Sequence, residues 1–355
     1  MRGRFHQGQD KWLYINQIMR SRRIGVLGLQ ETHLSPGEVD DIHKIFGKRL
    51  QVYASIDPAS PQSKGVAFVV NKEISNIEGI ETEELIPGRA LRISIPWHGE
   101  SRVTGVVAYA PNDPTENARF LDILETKLRR RKPDFVLGDF NMVEDAIDRM
   151  PHHKDANVVT EAMLEFKSKL HLIDGWRRAF PDLKSYTFLH AATGSQSRID
   201  RVLLTENMMK YTYDWTIESP GIHTDHQLLS MKYSDPNLPF IGKGRWVLPL
   251  RLLKDKKVME QVYALGKEME ARLEGLGDNR SDEDNPQKIW KSFKDEITEL
   301  FRERDKVMVP KMEKDIKSLK EKMNKTLNNP LIGEEERRTE ESPLHEDPRQ
   351  HSREK

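Results

Sequence analysis

The chain has 355 residues and carries 57 basic and 57 acidic side chains, so its formal net charge is zero. Without a net positive charge, a polyanionic partner would have to be held by a local patch or through a metal ion. The sequence has no cysteine, which excludes a disulfide scaffold, a thiolate zinc site and a cysteine nucleophile.

Hydrophobic periodicity predicts alternating helices and apolar strands in the first 240 residues. Asp10 is the predicted N-cap of a helix that runs to about Ser21, and Pro36 lies near the start of a second helix that ends at Phe46. Strands are predicted at residues 24–29, 52–56, 65–71, 89–95, 103–110, 135–137, 186–188, 202–204 and 227–233, and further helices at 114–131 and 158–170. Because strands outnumber the helices between them, we expect an α/β fold with two layers of sheet and helices outside.

The density of charged side chains changes near Phe240. Residues 1–240 hold 63 charged side chains, whereas the shorter segment 241–355 holds 51. We therefore predict a domain over 1–240 and a charged helical extension over 241–327, with apolar stripes at 253–273, from Pro286 onward and over 312–327. Helices docking on the domain are the preferred interpretation of these stripes, ahead of a dedicated partner site. Residues 328–355 are predicted to be disordered, because they are charged and poor in large apolar side chains.

No run of 18 apolar residues is present, so no membrane span is predicted. The N-terminal residues lack the apolar core of a signal peptide. We expect an intracellular soluble protein.

The stretch Leu137-Gly138-Asp139-Phe140-Asn141 follows a short apolar strand. Gly138 would let the backbone turn or approach another group closely. If the segment is extended, Asp139 and Asn141 point to the same side. Such a pair suits the handling of a water molecule beside a phosphate and a hard metal ion, although Gly, Asp and Asn together are also typical of a simple turn.

Further polar side chains lie close to the ends of the predicted strands. The full set is Glu31, Tyr109, Asp139, Asn141, Asp200, Asp225 and His226. Carboxylates that meet at one place repel each other, and a divalent cation removes that cost; oxygen ligands suit magnesium rather than zinc. A histidine held by a carboxylate can stabilise charge or move a proton. If the set converges, it could therefore hydrolyse a phosphodiester bond.

Several of these residues also have a structural alternative. Asp200 could pair with Arg198 or Arg201, and Tyr109 could belong to the core. Asp225 and His226 could lie in an exposed loop, and Glu31 could cap the next turn. Spacing alone does not show that the seven residues meet.

Five segments in this order resemble the signature pieces of the endonuclease/exonuclease/phosphatase superfamily, which includes apurinic/apyrimidinic endonucleases and deoxyribonuclease I. They are Leu29-Gln30-Glu31-Thr32, Ala108-Tyr109-Ala110-Pro111-Asn112, Gly138-Asp139-Phe140-Asn141, Ser197-Arg198-Ile199-Asp200 and Thr224-Asp225-His226. The likeness is greatest to the endonuclease domain of non-LTR retrotransposons, particularly fungal ones. Arg245-Trp246 and the charged helices look like the linker that leads there toward a reverse transcriptase, although no polymerase motif is visible.

The resemblance implies a role for each residue of the set. Glu31 would be a magnesium ligand, with Mn²⁺ as the alternative ion, and Asp225 would complete the acidic cluster on the metal side. Asp139 would align or activate the attacking water, and Asn141 would orient that water and the phosphate.

On the same resemblance, Tyr109 would contact the phosphate, and His226, oriented by Asp200, would stabilise the developing charge or transfer a proton. The implied fold is a four-layer sandwich of two mostly antiparallel sheets flanked by helices. The implied activity is magnesium-dependent DNA nicking in the nucleus, by a module that works beside a reverse transcriptase.

The sequence departs from the family pattern at two points. The family domain opens with a strand that ends in an asparagine near the metal, and here that strand is expected to be missing, since Met1 looks like the residues just after it. Thr224 stands where serine is more usual. A catalytically inactive remnant that binds nucleic acid or a protein is therefore one alternative, and a phosphatase acting on inositol phosphates or lipids is another.

Overall fold

A computed structural model describes residues 3–60, 64–97, 100–222, 224–234, 246, 248–277, 281 and 285–329. The chain divides into two compact units, Met1–Phe240 with Lys322–Lys355, and Ile241–Glu321. Of the tail predicted to be disordered, all but the first two residues lie outside the described residues, as does Arg245.

The helices and strands predicted for the first 240 residues are present, with ends that differ by a few residues. The described strands are β1 Phe5–His6, β2 Gln9–Asp10, β3 Val26–Gln30, β4 Leu50–Ser55, β5 Val66–Asn71, β6 Glu81–Ile86, β7 Ala90–Pro96, β8 Arg102–Tyr109, β9 Phe135–Asp139, β10 Arg149–Met150, β11 Leu172–Asp174, β12 Phe188–His190, β13 Ser195–Ser197, β14 Asp200–Thr205, β15 Thr212–Glu218 and β16 Leu228–Tyr233. The described helices are α1 Lys11–Ser21, α2 Pro36–Phe46, α3 Pro114–Leu128, α4 Asn157–Leu170, α5 Gly175–Ala179, α6 Glu206–Met209, α7 Lys256–Leu276 and α8 Pro286–Asn328.

Local capping signals fix where the predicted helices begin. Asp10 accepts a hydrogen bond at 2.9 Å from the backbone N–H of Trp12 and so caps α1, as predicted. Ser35 and Glu38 form a reciprocal capping box at the start of α2. Each such cap satisfies N–H groups that have no partner within the helix, and typically stabilises it by about 1 kcal/mol.

A six-stranded sheet carries most of the predicted site. Its strand order is β11-β14-β9-β8-β7-β6, and the neighbours are antiparallel except for the parallel pair β8 and β9. In this register Asp139 stands opposite Tyr109 on one side and opposite Asp200 on the other. Sheet pairing alone therefore places three of the predicted site residues next to one another.

A three-stranded sheet of order β3-β5-β4 packs face to face on the six-stranded one. Phe68 of β5, Ile93 of β7 and Val107 of β8 share one buried cluster between them. The sheets approach closely at Gly28 of β3, where an added Cβ would lie 2.1 Å from Cδ1 of Leu137. Every residue of β5 is buried, including Asn71, which follows a run of five apolar residues.

Helices cover both outer faces of the sheet pair. Trp12 of α1 packs with Val69 over the three-stranded sheet. Leu121 of α3 and Phe166 of α4 pack with Val136 over the six-stranded sheet. All five side chains are fully buried, and burial of each contributes on the order of 2 kcal/mol. The layers run helix, sheet, sheet, helix, which confirms the predicted α/β sandwich.

The second unit is helical. Leu252, Val258 of α7 and Phe301 of α8 form its buried cluster. The stripes predicted from Pro286 and over 312–327 lie on the single helix α8, which is 43 residues long and continues through Pro310. None of the helices in the described part of the chain has a stretch long and apolar enough to span a bilayer.

Gly138 makes the close approach that the sequence indicated. Its φ is +148°, and an added Cβ would lie 1.9 Å from the carbonyl oxygen of Ala108 in the neighbouring strand. We expect Gly138→Ala to destabilise the fold by about 2–3 kcal/mol, because backbone cannot move aside as a flexible side chain does. Urea unfolding followed by circular dichroism measures this loss.

Gly37, in the first turn of α2, provides the matched control. An added Cβ there meets nothing within 4 Å, so Gly37→Ala is expected to be neutral or stabilising by up to about 1 kcal/mol. Equal losses of stability in the two variants would contradict the proposed clash at Gly138.

Candidate functional site

The site is centred on the carboxylate of Asp139 at the end of β9. Asp139 is 5% exposed, and its Oδ1 accepts the backbone N–H of Asn141 at 2.9 Å. The strand ends at Asp139, and Asn141 has a left-handed backbone with φ +48°. The segment is therefore not extended after Asp139. The prediction that the side chains of Asp139 and Asn141 point to the same side assumed an extended segment, and that assumption does not hold. Instead Nδ2 of Asn141 donates to the carbonyl of Ala110 at 2.9 Å.

Asp200 and His226 form a hydrogen-bonded pair beside Asp139. Oδ2 of Asp200 lies 2.8 Å from Nδ1 of His226. The imidazole packs against the ring of Phe188, with ring centroids 5.0 Å apart, and the backbone of His226 forms an isolated bridge with Phe188. Oγ1 of Thr224 accepts the backbone N–H of His226 at 3.2 Å. The imidazole is thus held with one ring nitrogen committed to a carboxylate.

Glu31 reaches the site from the other sheet. It follows β3 with a left-handed φ of +50°, and its Oε1 accepts the phenolic hydroxyl of Tyr109 at 2.6 Å. Burial, followed by this hydrogen bond to Glu31, raises the pKa of Tyr109 well above its ordinary value. The phenol therefore stays protonated and remains a donor at neutral pH. A non-glycine residue in the left-handed region is uncommon and occurs preferentially at functional sites.

The charges of the site act on one another. Burial, and then the negative charge of Asp200, raise the pKa of Asp139 to about 7, and Glu31 adds to the effect. Burial alone would lower the pKa of His226, but the carboxylates of Asp200, Asp139 and Asp225 outweigh it and raise that pKa to about 9. At neutral pH the imidazole is therefore a cation among carboxylates.

The donor set fits a hard divalent cation. Ligand atoms of Asp139, Asp200 and His226 lie within 4.8 Å of one another, and they form the one such group of three among the described residues. Glu31 and Asp225 are outside this group, although both carboxylates influence its charge. Because the imidazole is protonated, the ligands for such an ion are the carboxylates around it, including those of Glu31 and Asp225, and not the ring nitrogen. A bound cation would relieve the repulsion among carboxylates that raises the pKa of Asp139.

The structure decides the alternatives for Asp200 and its neighbours. Arg198 and Arg201 do not pair with Asp200 but with a buried acidic cluster: Arg198 contacts Asp148 and Asp174 at 2.6 and 2.8 Å, and Arg201 contacts Asp174 at 2.7 Å. Tyr109 is 8% exposed and belongs both to the core between the sheets and to the site. The backbone carbonyl of Asp225 accepts the N–H of Leu189 at 3.2 Å.

Sequence reasoning missed two residues that contact the site. Arg89 donates from Nη1 to the carbonyl of Tyr109 at 3.0 Å, and its guanidinium lies 5.3 Å from the centre of the Tyr109 ring. Thr187 is fully buried, and its hydroxyl accepts the backbone N–H of Asp200 at 3.0 Å. Arg89 begins one predicted strand and Thr187 lies inside another, and neither position distinguishes these side chains from others in the sequence.

Comparisons with known proteins identify the family and the fold of the chain. The family model described as "Endonuclease/Exonuclease/phosphatase family" matches residues 13–235. Among solved structures, the AP endonuclease LMAP from Leishmania major is 17% identical, with a TM-score of 0.54 and coverage of 63% of this chain and 82% of that one. An AP endonuclease from Archaeoglobus fulgidus is 18% identical, with a TM-score of 0.51 and coverage of 62% and 93%. The 3′ phosphatase NExo from Neisseria, bound to product DNA hairpin, is 16% identical, with a TM-score of 0.51 and coverage of 63% and 94%.

The structural likenesses establish the fold, and the family model spans more than half of the chain. On that ground the chain belongs to the endonuclease/exonuclease/phosphatase family, whose members are nucleases and phosphatases that hydrolyse phosphate esters.

Proposed function

We propose that the chain is a magnesium-dependent DNA endonuclease of retrotransposon origin that acts in the nucleus, beside a reverse transcriptase module of its parent element. The observation that carries the proposal is the placement of the Asp200–His226 pair, 2.8 Å apart, next to the buried carboxylate of Asp139. The site motifs and the family support a phosphodiester as the substrate. The resemblance of the motifs to retrotransposon endonucleases supports DNA.

In this proposal the side chains divide the work of hydrolysis. A water molecule attacks phosphorus while the carboxylate of Asp139 aligns it and accepts its proton. The P–O bond on the opposite side breaks, and the departing oxygen takes up a proton from solvent to leave as an alcohol. One N–H of the Asn141 amide is committed to the carbonyl of Ala110, and its second N–H and its Oδ1 orient the water and the phosphate. The imidazolium of His226, held by Asp200, stabilises the negative charge that develops on the phosphate oxygens.

The remaining groups position the phosphate. Tyr109 contacts it while its hydroxyl is shared with Glu31. The Arg89 guanidinium, stacked beside that ring, adds positive charge for the phosphodiester strand. Glu31 and Asp225 would hold the magnesium ion, and its contribution when bound is charge neutralisation at the phosphate.

Nicking of supercoiled plasmid tests the proposal. The full chain with Mg²⁺ is expected to convert supercoiled plasmid into nicked circles, and EDTA in excess is expected to stop the reaction. Under the same conditions, inositol phosphates and phosphoinositide vesicles are expected to release no phosphate.

Two outcomes would contradict it. Faster hydrolysis of an inositol phosphate or lipid than of plasmid would favour the phosphatase alternative. A chain that melts cooperatively and binds DNA, but nicks no plasmid with Mg²⁺ or Mn²⁺, would favour the inactive remnant.

A further inference from the structure

Thr187 lies between the two chain segments that carry Asp200 and His226. Its backbone N–H donates to the carbonyl of Ser197 at 3.0 Å, just before Asp200 along the chain. Its backbone carbonyl accepts the N–H of Gln227, the residue after His226, at 2.7 Å. Thr187 is therefore bonded to both segments at once.

The hydroxyl of Thr187 accepts two hydrogen bonds, and it donates a long one, at 3.5 Å, to the carbonyl of Ser197. Oγ1 accepts the backbone N–H of Ile199 at 3.1 Å and that of Asp200 at 3.0 Å. The side chain is 0% exposed, so water does not compete for these two donors. A buried N–H without an acceptor is costly. This one oxygen therefore holds the backbone of Ile199 and Asp200 in place.

The position of the Asp200 backbone determines where its carboxylate lies relative to His226. Asp200 is the first residue of β14, and its carboxylate must meet Nδ1 of His226 at 2.8 Å. The segment 187–189 also holds the partner, because Phe188 bridges His226 and Leu189 donates to the carbonyl of Asp225. If Asp200 loses its support from Thr187 while His226 keeps its own, the two side chains move relative to each other.

We propose that Thr187 is a positioning residue for phosphodiester hydrolysis, whose hydroxyl sets the place of the Asp200 carboxylate relative to His226. The expected effect on nicking rests on the proposed function. The expected effect on the contact between Asp200 and His226 rests on geometry alone. Thr187 does not face the substrate; it acts through Asp200.

A hydroxyl-specific pair of variants tests the inference. Thr187→Val keeps the shape but replaces the shared acceptor with a methyl group, whereas Thr187→Ser keeps the acceptor. We expect Thr187→Val to lower kcat for plasmid nicking by about 10- to 100-fold with KM changed less than about twofold, since small misplacements of a catalytic group have effects of this order. Thr187→Ser is expected to stay within about threefold of the parent chain.

Thr205 provides the control at the opposite end of the same strand. Its hydroxyl accepts the backbone N–H of Met208 at 3.3 Å and caps α6. Thr205→Val removes a hydroxyl from a similar bond to backbone N–H, so it is expected to lower the melting temperature while leaving kcat unchanged. A kcat loss in Thr205→Val equal to that in Thr187→Val would overturn the inference.

A second readout does not depend on nuclease activity. With ¹⁵N-labelled histidine at one fixed pH, the Nδ1 proton shared by His226 and Asp200 is expected as a slowly exchanging downfield resonance. We expect that resonance in the parent, Thr187→Ser and Thr205→Val chains. In Thr187→Val we expect it to be lost or moved upfield. If the parent chain nicks no DNA, this comparison still decides the role of Thr187, while the proposed function fails separately.

If Thr187→Val does not fold, Thr187→Ala takes its place, because it removes the hydroxyl without pressing a methyl group on the two N–H groups. An unchanged kcat together with an unchanged Nδ1 resonance in the folded valine or alanine variant would refute the inference.

Discussion

Asp139→Asn is expected to abolish plasmid nicking, with a loss of about 10³-fold or more, because an amide cannot accept the proton of the attacking water. The substitution keeps the size of the side chain, and its amide oxygen can still accept the N–H of Asn141 that Oδ1 of Asp139 now accepts at 2.9 Å. Loss of activity would therefore report the loss of the carboxylate and not a rearranged strand end. Single-turnover nicking with saturating Mg²⁺ measures it.

The same variant is expected to be more stable than the parent chain in EDTA. Burial and the neighbouring charges of Asp200 and Glu31 raise the pKa of Asp139, so its ionised form is unfavourable in the folded chain. The folded pKa, about 7, lies above the ordinary value, and the destabilisation is therefore present above pH 7 and absent below the ordinary value of 3.8. At pH 8 we expect Asp139→Asn to melt a few degrees above the parent chain. A gain of about 1 kcal/mol in the free energy of unfolding corresponds to about 2–4 °C in a domain of this size.

Asp134→Asn is the matched control, because Asp134 immediately precedes the first residue of the strand that ends at Asp139. Oδ2 of Asp134 accepts the backbone N–H of Thr104 at 2.7 Å, which an amide oxygen can replace. We expect nicking in this variant to stay within about twofold of the parent rate. An Asp139→Asn chain that nicks as fast as Asp134→Asn would remove Asp139 from the mechanism.

His226→Gln is expected to lower the nicking rate by about 10²- to 10³-fold, as the removal of one group that stabilises transition-state charge typically does. Glutamine retains an N–H donor but no charge, so KM is expected to change less than kcat. Rates at several concentrations of a short duplex separate the two constants. A rate within about threefold of the parent chain would contradict the role of His226.

The charge on His226 has its own test. Without a metal ion, the pKa of His226 is expected at about 9, with burial opposing protonation and Asp200 as the largest favourable influence. The folded value lies above the ordinary 6.5, so the pair with Asp200 stabilises the fold fully below pH 6.5 and loses that effect as pH rises through 9. In Asp200→Asn we expect the pKa to fall toward the ordinary value, measured by NMR titration of the imidazole C–H signals.

His43 serves as the internal reference for that titration. Its Nε2 accepts the backbone N–H of Val52 at 3.0 Å, and burial lowers its pKa below the ordinary value. Asp200→Asn should leave the titration of His43 unchanged. If the pKa of His226 is also unchanged, the carboxylate of Asp200 is not what holds the imidazole protonated.

The sequence was sufficient for elements whose signals are local. Asp10 beside an amphipathic stretch, and the apolar run of β5, each predicted an element that the structure contains. It was insufficient for β6, whose residues are largely exposed, and for β15, whose residues are mostly half-buried; neither strand shows the alternation of a strand with one buried face. An edge strand such as β6 is held by backbone pairing with its neighbour, and backbone pairing leaves little trace in side-chain hydrophobicity.

The candidate site divides in the same way. The residue types at the strand ends were visible in the sequence, because carboxylate, amide, phenol and imidazole groups next to apolar strands are conspicuous. The bond between Tyr109 and Glu31 joins residues 78 positions apart on different sheets, and its existence depends on how closely the sheets pack at Gly28. The hydrogen bond from Asp200 to Thr187 and the ion pair of Arg198 with Asp148 likewise join residues from different segments of the chain.

The sequence by itself therefore determined which chemical groups the protein has available, where its helices begin and which strands are buried, because those properties depend on neighbours within a few residues. Only the tertiary structure decided that Glu31, Tyr109, Asp139, Asp200 and His226 meet. Their meeting depends on strand register and on the face-to-face packing of two sheets, and both are set by contacts among residues far apart in the chain.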